Sequence, residues 1–297
     1  MLKGLAITPP VVGRISIGRV VERNGKRLPE KDDQFTLTSQ IQSRDGWLLH
    51  PLDESLRKAT GGKLRSIPVR MLFSDPLLNM RADYSLFDRT TGRPVCVGNG
   101  EACRRSAAEG MATLPCPSPD ACAFAKGDCK AYARLNVVIG EEDALGSFVL
   151  RTTSYNTIRT LAARLQYFQA VSGGLLACMP LELKLRGKST TMSFRSAIFY
   201  VDLIVRSGMT LEDAIVEAKR LDESRRANGF DQAALDEAAR RGFANGAFED
   251  LAEDVPAVVE EFYPADGHED LSSLSNKTPT TRLQGQLDEK VARLGVG

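Results

Sequence analysis

Imidazole is scarce in this sequence, with two histidines, His50 and His268, among 297 residues. A Ser-His-Asp or Cys-His catalytic arrangement would have to rest on His50, since His268 lies in a polar tail. The WLLHPLDES context reads as a loop with a solvated histidine. No GxSxG, HExxH or GxxxxGK[ST] motif occurs, and no GxGxxG follows a strand pattern. Gly61-Gly62 and Gly173-Gly174 are isolated pairs of the turn or helix-stop type. The carboxylate pairs Asp53-Glu54 and Glu141-Glu142 read as parts of solvated loops. A non-enzymatic protein is therefore expected, and a hydrolase has the least support.

Long apolar runs are also missing. Residues 197–205 are broken by Asp202 and fall far short of the roughly 18 residues that a membrane helix requires. The opening MLKGLAITPPVVGR has no apolar segment followed by a small-residue cleavage site, so a cytoplasmic location and no membrane partner are expected. Aromatic residues make up only 6% of the chain, which limits the rings available for stacking on bases. What remains is ordinary for a globular protein: 42% hydrophobic and 26% charged residues.

The formal net charge of +1 conceals an uneven distribution. Residues 1–200 carry 28 Lys+Arg against 18 Asp+Glu, whereas residues 201–297 carry 11 against 20, so a body of net +10 precedes an acidic third of net −9. Such a division suits a basic surface that meets an anionic partner and an acidic segment that competes for it. Two oppositely charged solvated surfaces would give the same counts.

Five of the six cysteines, Cys96, Cys103, Cys116, Cys122 and Cys129, fall within 34 residues, while Cys178 stands alone in LLACMPLEL and reads as core. In a reducing compartment thiols this close together are more often metal ligands than disulfides. Zinc takes four tetrahedral ligands, and the best set is Cys103, Cys116, Cys122 and Cys129 in a C-x12-C-x5-C-x6-C spacing, with Cys96 either an alternative to Cys103 or a small buried apolar residue. Gly110, Pro115, Pro117, Pro119 and Gly127 between them favour turns, so a zinc-nucleated loop is expected over residues 96–130. An all-cysteine site is closed, which makes the expected metal structural.

The order of elements predicts an α+β fold. It consists of an antiparallel sheet body with a Cys-rich zinc loop and at least one packed helix, followed by a helical C-terminal segment. Residues 67–73, 84–87 and 95–97 read as strands, the last two joined by a turn over Asp88 to Pro94, and residues 134–139 and 148–153 as a second antiparallel pair. Ser154 caps a helix with Ile158, Leu161, Ala162, Leu165 and Phe168 on one stripe, stopped by Gly173. Residues 175–185 and 190–205 read as a long strand pair. Thr210 and Asp231 each head a helix, a third helical stretch covers residues 247–262, and a mobile polar tail follows from Pro264. The boundaries drawn are a body over 1–208, a helical subdomain over 209–263 and a tail over 264–297. A candidate binding surface gathers Lys184, Arg186, Lys188 and Arg195 of the strand pair with Arg159 and Arg164 of the helix, although a basic hairpin is also a common solubilising edge.

From residue 67 to 208 the run IPVRMLF, TGRPVCVGNGEACRR, LPCPSPDACAFAKGDCKAYARL, FVLRTTSYNTIRTL and GGLLACMPLELKLR resembles the larger recombination directionality factors that accompany phage-type large serine integrases. The resemblance implies a non-catalytic adaptor that binds the integrase and redirects it from integration toward excision, with the implied zinc ligands falling on Cys103, Cys116, Cys122 and Cys129. The alternative partner is single-stranded DNA, in a binding or annealing protein of phage-type recombination, for which the basic body and acidic tail are suited. Its candidate stacking rings, Tyr155, Tyr167, Phe194 and Tyr200, read instead as core at their periodic positions. An oligomer is compatible with either reading.

Overall fold

The computed structural model describes residues 10–23, 26–44, 46–107, 110–140, 146–189 and 197–243, together with residues 258, 259, 262 and 263. The chain begins with β1 (Val11–Arg23), β2 (Lys26–Ser43), β3 (Gly46–Leu49), α1 (Pro51–Thr60), β4 (Ser66–Val69) and α2 (Pro76–Asn79). It continues with β5 (Met80–Phe87), β6 (Pro94–Gly98), β7 (Ala102–Ala107), β8 (Gly110–Pro115), β9 (Lys130–Val137) and β10 (Ser147–Thr152). Then come α3 (Tyr155–Val171), β11 (Leu181–Lys188), β12 (Ile198–Val205), α4 (Leu211–Ala227) and α5 (Gln232–Phe243). Among the described residues the architecture is α+β, with a large and mostly antiparallel sheet and five α-helices.

The larger sheet runs β3-β2-β1-β10-β9-β5-β6-β7-β8 and the smaller β12-β11-β4. The β1–β10 pair is parallel, an exception that local hairpin reasoning does not anticipate. One apolar core joins the two sheets with α3: Ile15, Leu37, Leu135 and Leu150 of the large sheet meet Leu161 and Leu165 of α3 and Leu183, Val201 and Leu203 of the small sheet. All of these side chains are almost fully buried, and burial of each contributes roughly 1.5–3 kcal/mol relative to exposure. Ala214 and Ala218 place α4 on the same core.

The predicted hairpin β5/β6 is present, its turn held by Asp88, whose carboxylate accepts from the backbone N–H groups of Thr90 and Thr91. The β9/β10 and β11/β12 pairs are also antiparallel. Ser154 caps α3 by accepting from Thr157 N, and Gly173 beyond its end takes the left-handed φ of +67° that favours glycine. Thr210 and Asp213 form a reciprocal capping box on α4, and Asp231 accepts from Ala234 N at the start of α5.

Several expectations are corrected. Val11–Arg23, Lys26–Ser43 and Gly46–Leu49 form β1–β3, the last of them running into the stretch expected to be a loop. The turn-rich reading of residues 103–116 gives way to the hairpin β7/β8, because Ala102 to Ala107 pair in register with Pro115 to Gly110. Strand β11 starts at Leu181 instead of residue 175, since residues 176–178 make a single 3-10 turn. His50 is not a solvated loop side chain: it caps α1, its Nδ1 accepting from Leu52 N at 3.2 Å while its ring meets Phe148 edge-on. Asp53 is not part of a solvated pair: it is buried, accepting from Leu37 N at 2.8 Å and from Arg57 Nε at 2.6 Å. The tail from residue 264 lies outside the described residues, as does all of the proposed third helix except residues 258, 259 and 262. Among the described residues no helix is long and apolar enough to cross a membrane.

Candidate functional site

The cysteines converge at the end of the large sheet because strand register and one loop bring them there. Tyr84 lies opposite Gly98, and Gly98 opposite Cys103, so the alternation of β6 and β7 puts Cys96, Gly98, Cys103 and Arg105 on one face. Asn99 closes the β6–β7 turn, its Oδ1 accepting from the N–H groups of Glu101 and Ala102, both at 2.9 Å. Cys116 follows β8 directly and donates its N–H to Glu101 O at 2.8 Å. The chain then returns through a 3-10 turn over Pro119–Ala121 that delivers Cys122, and Gly127 helps it reverse into Cys129 at the start of β9.

Gly98 is the floor of this corner. A Cβ there would come within 2.6 Å of Cys103 Cβ and 2.9 Å of Cys116 Sγ, closer than atoms tolerate, so these two side chains occupy the space that a larger residue would fill. All six cysteines are unpaired thiols. Burial pushes the Cys129 thiol up to about 12, with Cys122, Cys96, Cys116 and Cys103 each adding to the rise. Cys103 is raised by burial and by its hydrogen bond with Cys96. Arg105 is held more firmly cationic by Cys96, and its guanidinium lies 3.8 Å above the Phe124 ring. The five thiols thus lie within one another's electrostatic reach.

Among the described residues, no group of three or more His, Cys, Asp or Glu side chains is arranged as a metal site. The donor chemistry fits zinc: thiolate sulfur is a preferred zinc ligand, and two of the expected ligands, Cys103 and Cys116, close on Gly98, which lacks a Cβ, with Arg105 on the same face. Cys96 shares the corner with the four cysteines selected from sequence, so it stays an alternative to Cys103. Cys178 is buried in the core as read, within 3.6 Å of Arg225 Nη1.

The basic residues selected from sequence also meet. Arg164 Nε of α3 donates to Asp202 Oδ1 at 3.0 Å and Arg186 Nε of β11 to Asp202 Oδ2 at 2.6 Å, while Lys188 Nζ donates to Asn156 Oδ1 at 2.7 Å. Asp202 therefore neutralises part of the patch, a role invisible in a sequence where it only interrupts an apolar run. Arg159 is exposed, Lys184 is half-buried, and Arg195 lies outside the described residues. Of the rings read as core, Tyr155 and Tyr167 are exposed, Tyr200 is half-buried and Phe194 lies outside the described residues.

One feature escaped sequence reasoning. Phe87 and Tyr132, on the face of the large sheet opposite the cysteine corner, pack with Val258 and Phe262 from the C-terminal segment. Tyr263 Oη donates to Phe87 O at 2.8 Å, and Lys130 Nζ donates to Phe262 O at 3.2 Å. The only available signal was a pair of aromatic residues set inside an acidic stretch.

A family model described as Gp3-like: Recombination directionality factor-like matches residues 12–206, a span that contains both sheets, the cysteine corner and α3. No curated protein and no solved structure matches the chain.

Proposed function

The chain belongs to the Gp3-like, recombination directionality factor-like family, a phage recombination accessory family, and from that premise we propose that it acts as a non-enzymatic adaptor that binds a site-specific serine integrase and biases it toward excision. The observation that carries this reading is the extent of the family match, from β1 through β12, which covers the whole two-sheet body. The scarcity of histidine and the structural use of His50 as a helix cap are consistent with an adaptor.

In the same reading, Cys103, Cys116, Cys122 and Cys129 hold one structural zinc, with Cys96 the alternative to Cys103. The ion would contribute folding free energy by tying the β7/β8 hairpin to the start of β9. The residues themselves set the geometry: Gly98 leaves room for the sulfurs, and Arg105 balances their charge.

The test pairs the purified protein with the serine integrase of the same mobile element. Recombination is followed on substrates for integration and for excision. Excision should rise and integration fall as the protein is titrated, and the protein should be retained by immobilised integrase in the absence of DNA. Unchanged recombination in both directions at saturating protein overturns the reading.

A further inference from the structure

Strand β8 ends the nine-stranded sheet and has a single neighbour in it, β7. Register shows what its other side offers. Cys116 donates its N–H to Glu101 O, and this pair continues the β7/β8 ladder, in which bonded and non-bonded pairs alternate. Leu114 with Cys103, Ala112 with Arg105 and Gly110 with Ala107 are therefore bonded across the hairpin. Met111 and Thr113 lie between them, so their N–H and C=O groups point away from β7. The β6–β7 turn gives the same phase independently. Asn99 donates its N–H to Ala102 O, which makes Gly98 and Cys103 a non-bonded pair and turns the polar groups of Cys103 toward Leu114.

Such an edge is a template for another strand, and proteins ordinarily blunt it with charge. The sequence of β8, GMATLP, has no charged side chain. Met111 and Leu114 are 45% and 37% exposed, and Pro115 closes the strand without an N–H. A second copy of the same strand answers these features. With two β8 strands antiparallel and Ala112 on the two-fold axis, Met111 of each copy lies opposite Thr113 of the other. Those pairs exchange N–H···O bonds in both directions, so every outward group of Met111 and Thr113 is satisfied. Pro115 falls past these pairs, where its missing N–H costs nothing. Ala112 meets its own copy at a non-bonded position, where Cα atoms approach to about 4.5 Å and a small side chain fits. Leu114 lies opposite Gly110, which has no side chain to displace it. Charge does not oppose the contact: Arg105, opposite Ala112 on β7, is three strand spacings or about 14 Å from its copy, beyond the screening length of about 8 Å at physiological salt.

We propose that β8 is a dimerisation edge, through which two copies of this chain join their large sheets in an isologous, antiparallel β8–β8 contact. The proposal rests on the β7/β8 pairing and not on integrase binding, and neither integrase nor DNA enters its test.

The full-length protein is followed by analytical ultracentrifugation from about 1 to 100 μM, where a discrete dimer should form. Hydrogen exchange resolved to single amides should show Met111 and Thr113 protected only as the dimer fills, with Ala112 and Leu114, bonded to β7, protected at every concentration. Thr113→Pro removes an outward N–H and breaks no bond to β7, so it should leave the hairpin folded and raise the dimer dissociation constant by about tenfold or more. The pair Met111→Lys, Thr113→Lys sets like charges opposite each other across the axis and should give monomer, whereas Met111→Lys, Thr113→Glu sets opposite charges there and should restore the dimer. If Thr113→Pro fails to fold by circular dichroism, the two charge variants decide. Protein that stays monomeric throughout the range overturns the proposal, as does a dimer whose Met111 and Thr113 amides exchange freely. Open-ended assemblies instead of a dimer, which would mean β8 pairing with the opposite edge β3, overturn it as well, and so does a dimer indifferent to the lysine pair.

Discussion

The sulfur of Cys116 rests against the backbone of Gly98, at a point where a Cβ would approach it to 2.9 Å. Gly98 does not have a left-handed φ, so the requirement there is for space alone. The Gly98→Ala variant should therefore push Cys103 and Cys116 apart and lower stability by about 1–3 kcal/mol, the usual cost of overpacking. Urea denaturation reads this directly, and an unchanged midpoint would show that the corner relaxes freely.

Protein purified without chelators should contain about one zinc per chain by elemental analysis. Cys116→Ser or Cys129→Ser should lose the metal together with hydrogen-exchange protection in β7 and β8, because the binding energy of a structural zinc is also folding energy. Metal-free protein with full protection in that hairpin would remove zinc from the account.

Asp202 is the buried partner of two guanidinium groups and also accepts from Leu203 N at 2.9 Å. Asp202→Asn keeps the shape but withdraws the charge. Because Arg164 and Arg186 are each 42% exposed, solvent screens much of the loss, and a destabilisation of about 1–2 kcal/mol is expected. Arg164→Ala and Arg186→Ala should each cost less than Asp202→Asn. Equal effects from all three would argue against a shared carboxylate.

The capping box of α4 offers a local test. Thr210→Ala removes the hydroxyl that accepts from Asp213 N at 3.1 Å and should cost about 1 kcal/mol. Amide exchange should quicken first in the opening turn of α4, while the small sheet, whose strands are buried on the core side, stays protected.

Two carboxylates give stability a defined dependence on pH. Hydrogen bonds from Thr91 hold Asp88 below its ordinary value of 3.8, and those from Thr210 hold Asp213 below the same value. A depressed folded-state value means that the contribution is complete above about pH 4 and is lost as pH falls through the folded values. The melting temperature should therefore decline below pH 4, and Asp88→Asn, Asp213→Asn should make that decline shallower. A double variant with an acid limb as steep as the parent protein's would contradict the assignment.

Local chemistry was legible in the sequence wherever neighbours along the chain satisfied one another. Ser154, Thr210 and Asp231 head their helices because each side chain accepts from an N–H three residues on, and the Asp88 turn joins β5 to β6 through its own next residues. The clustering of five cysteines was equally plain, since their proximity in space follows from proximity in sequence. Relationships made by distant strands were not legible. The pairing of β1 with β10 unites residues about 135 apart. Asp202 looked like a break in an apolar run until β12 folded against β11 and α3. Arg81, Arg134 and Arg151 line up only because β5 settles in register beside the β9/β10 pair, and Phe262 meets Phe87 across some 175 residues. A strand's alternation tells which residues share a face, but which strands lie side by side is decided by the burial of the whole sheet, and that is a property of the folded chain alone.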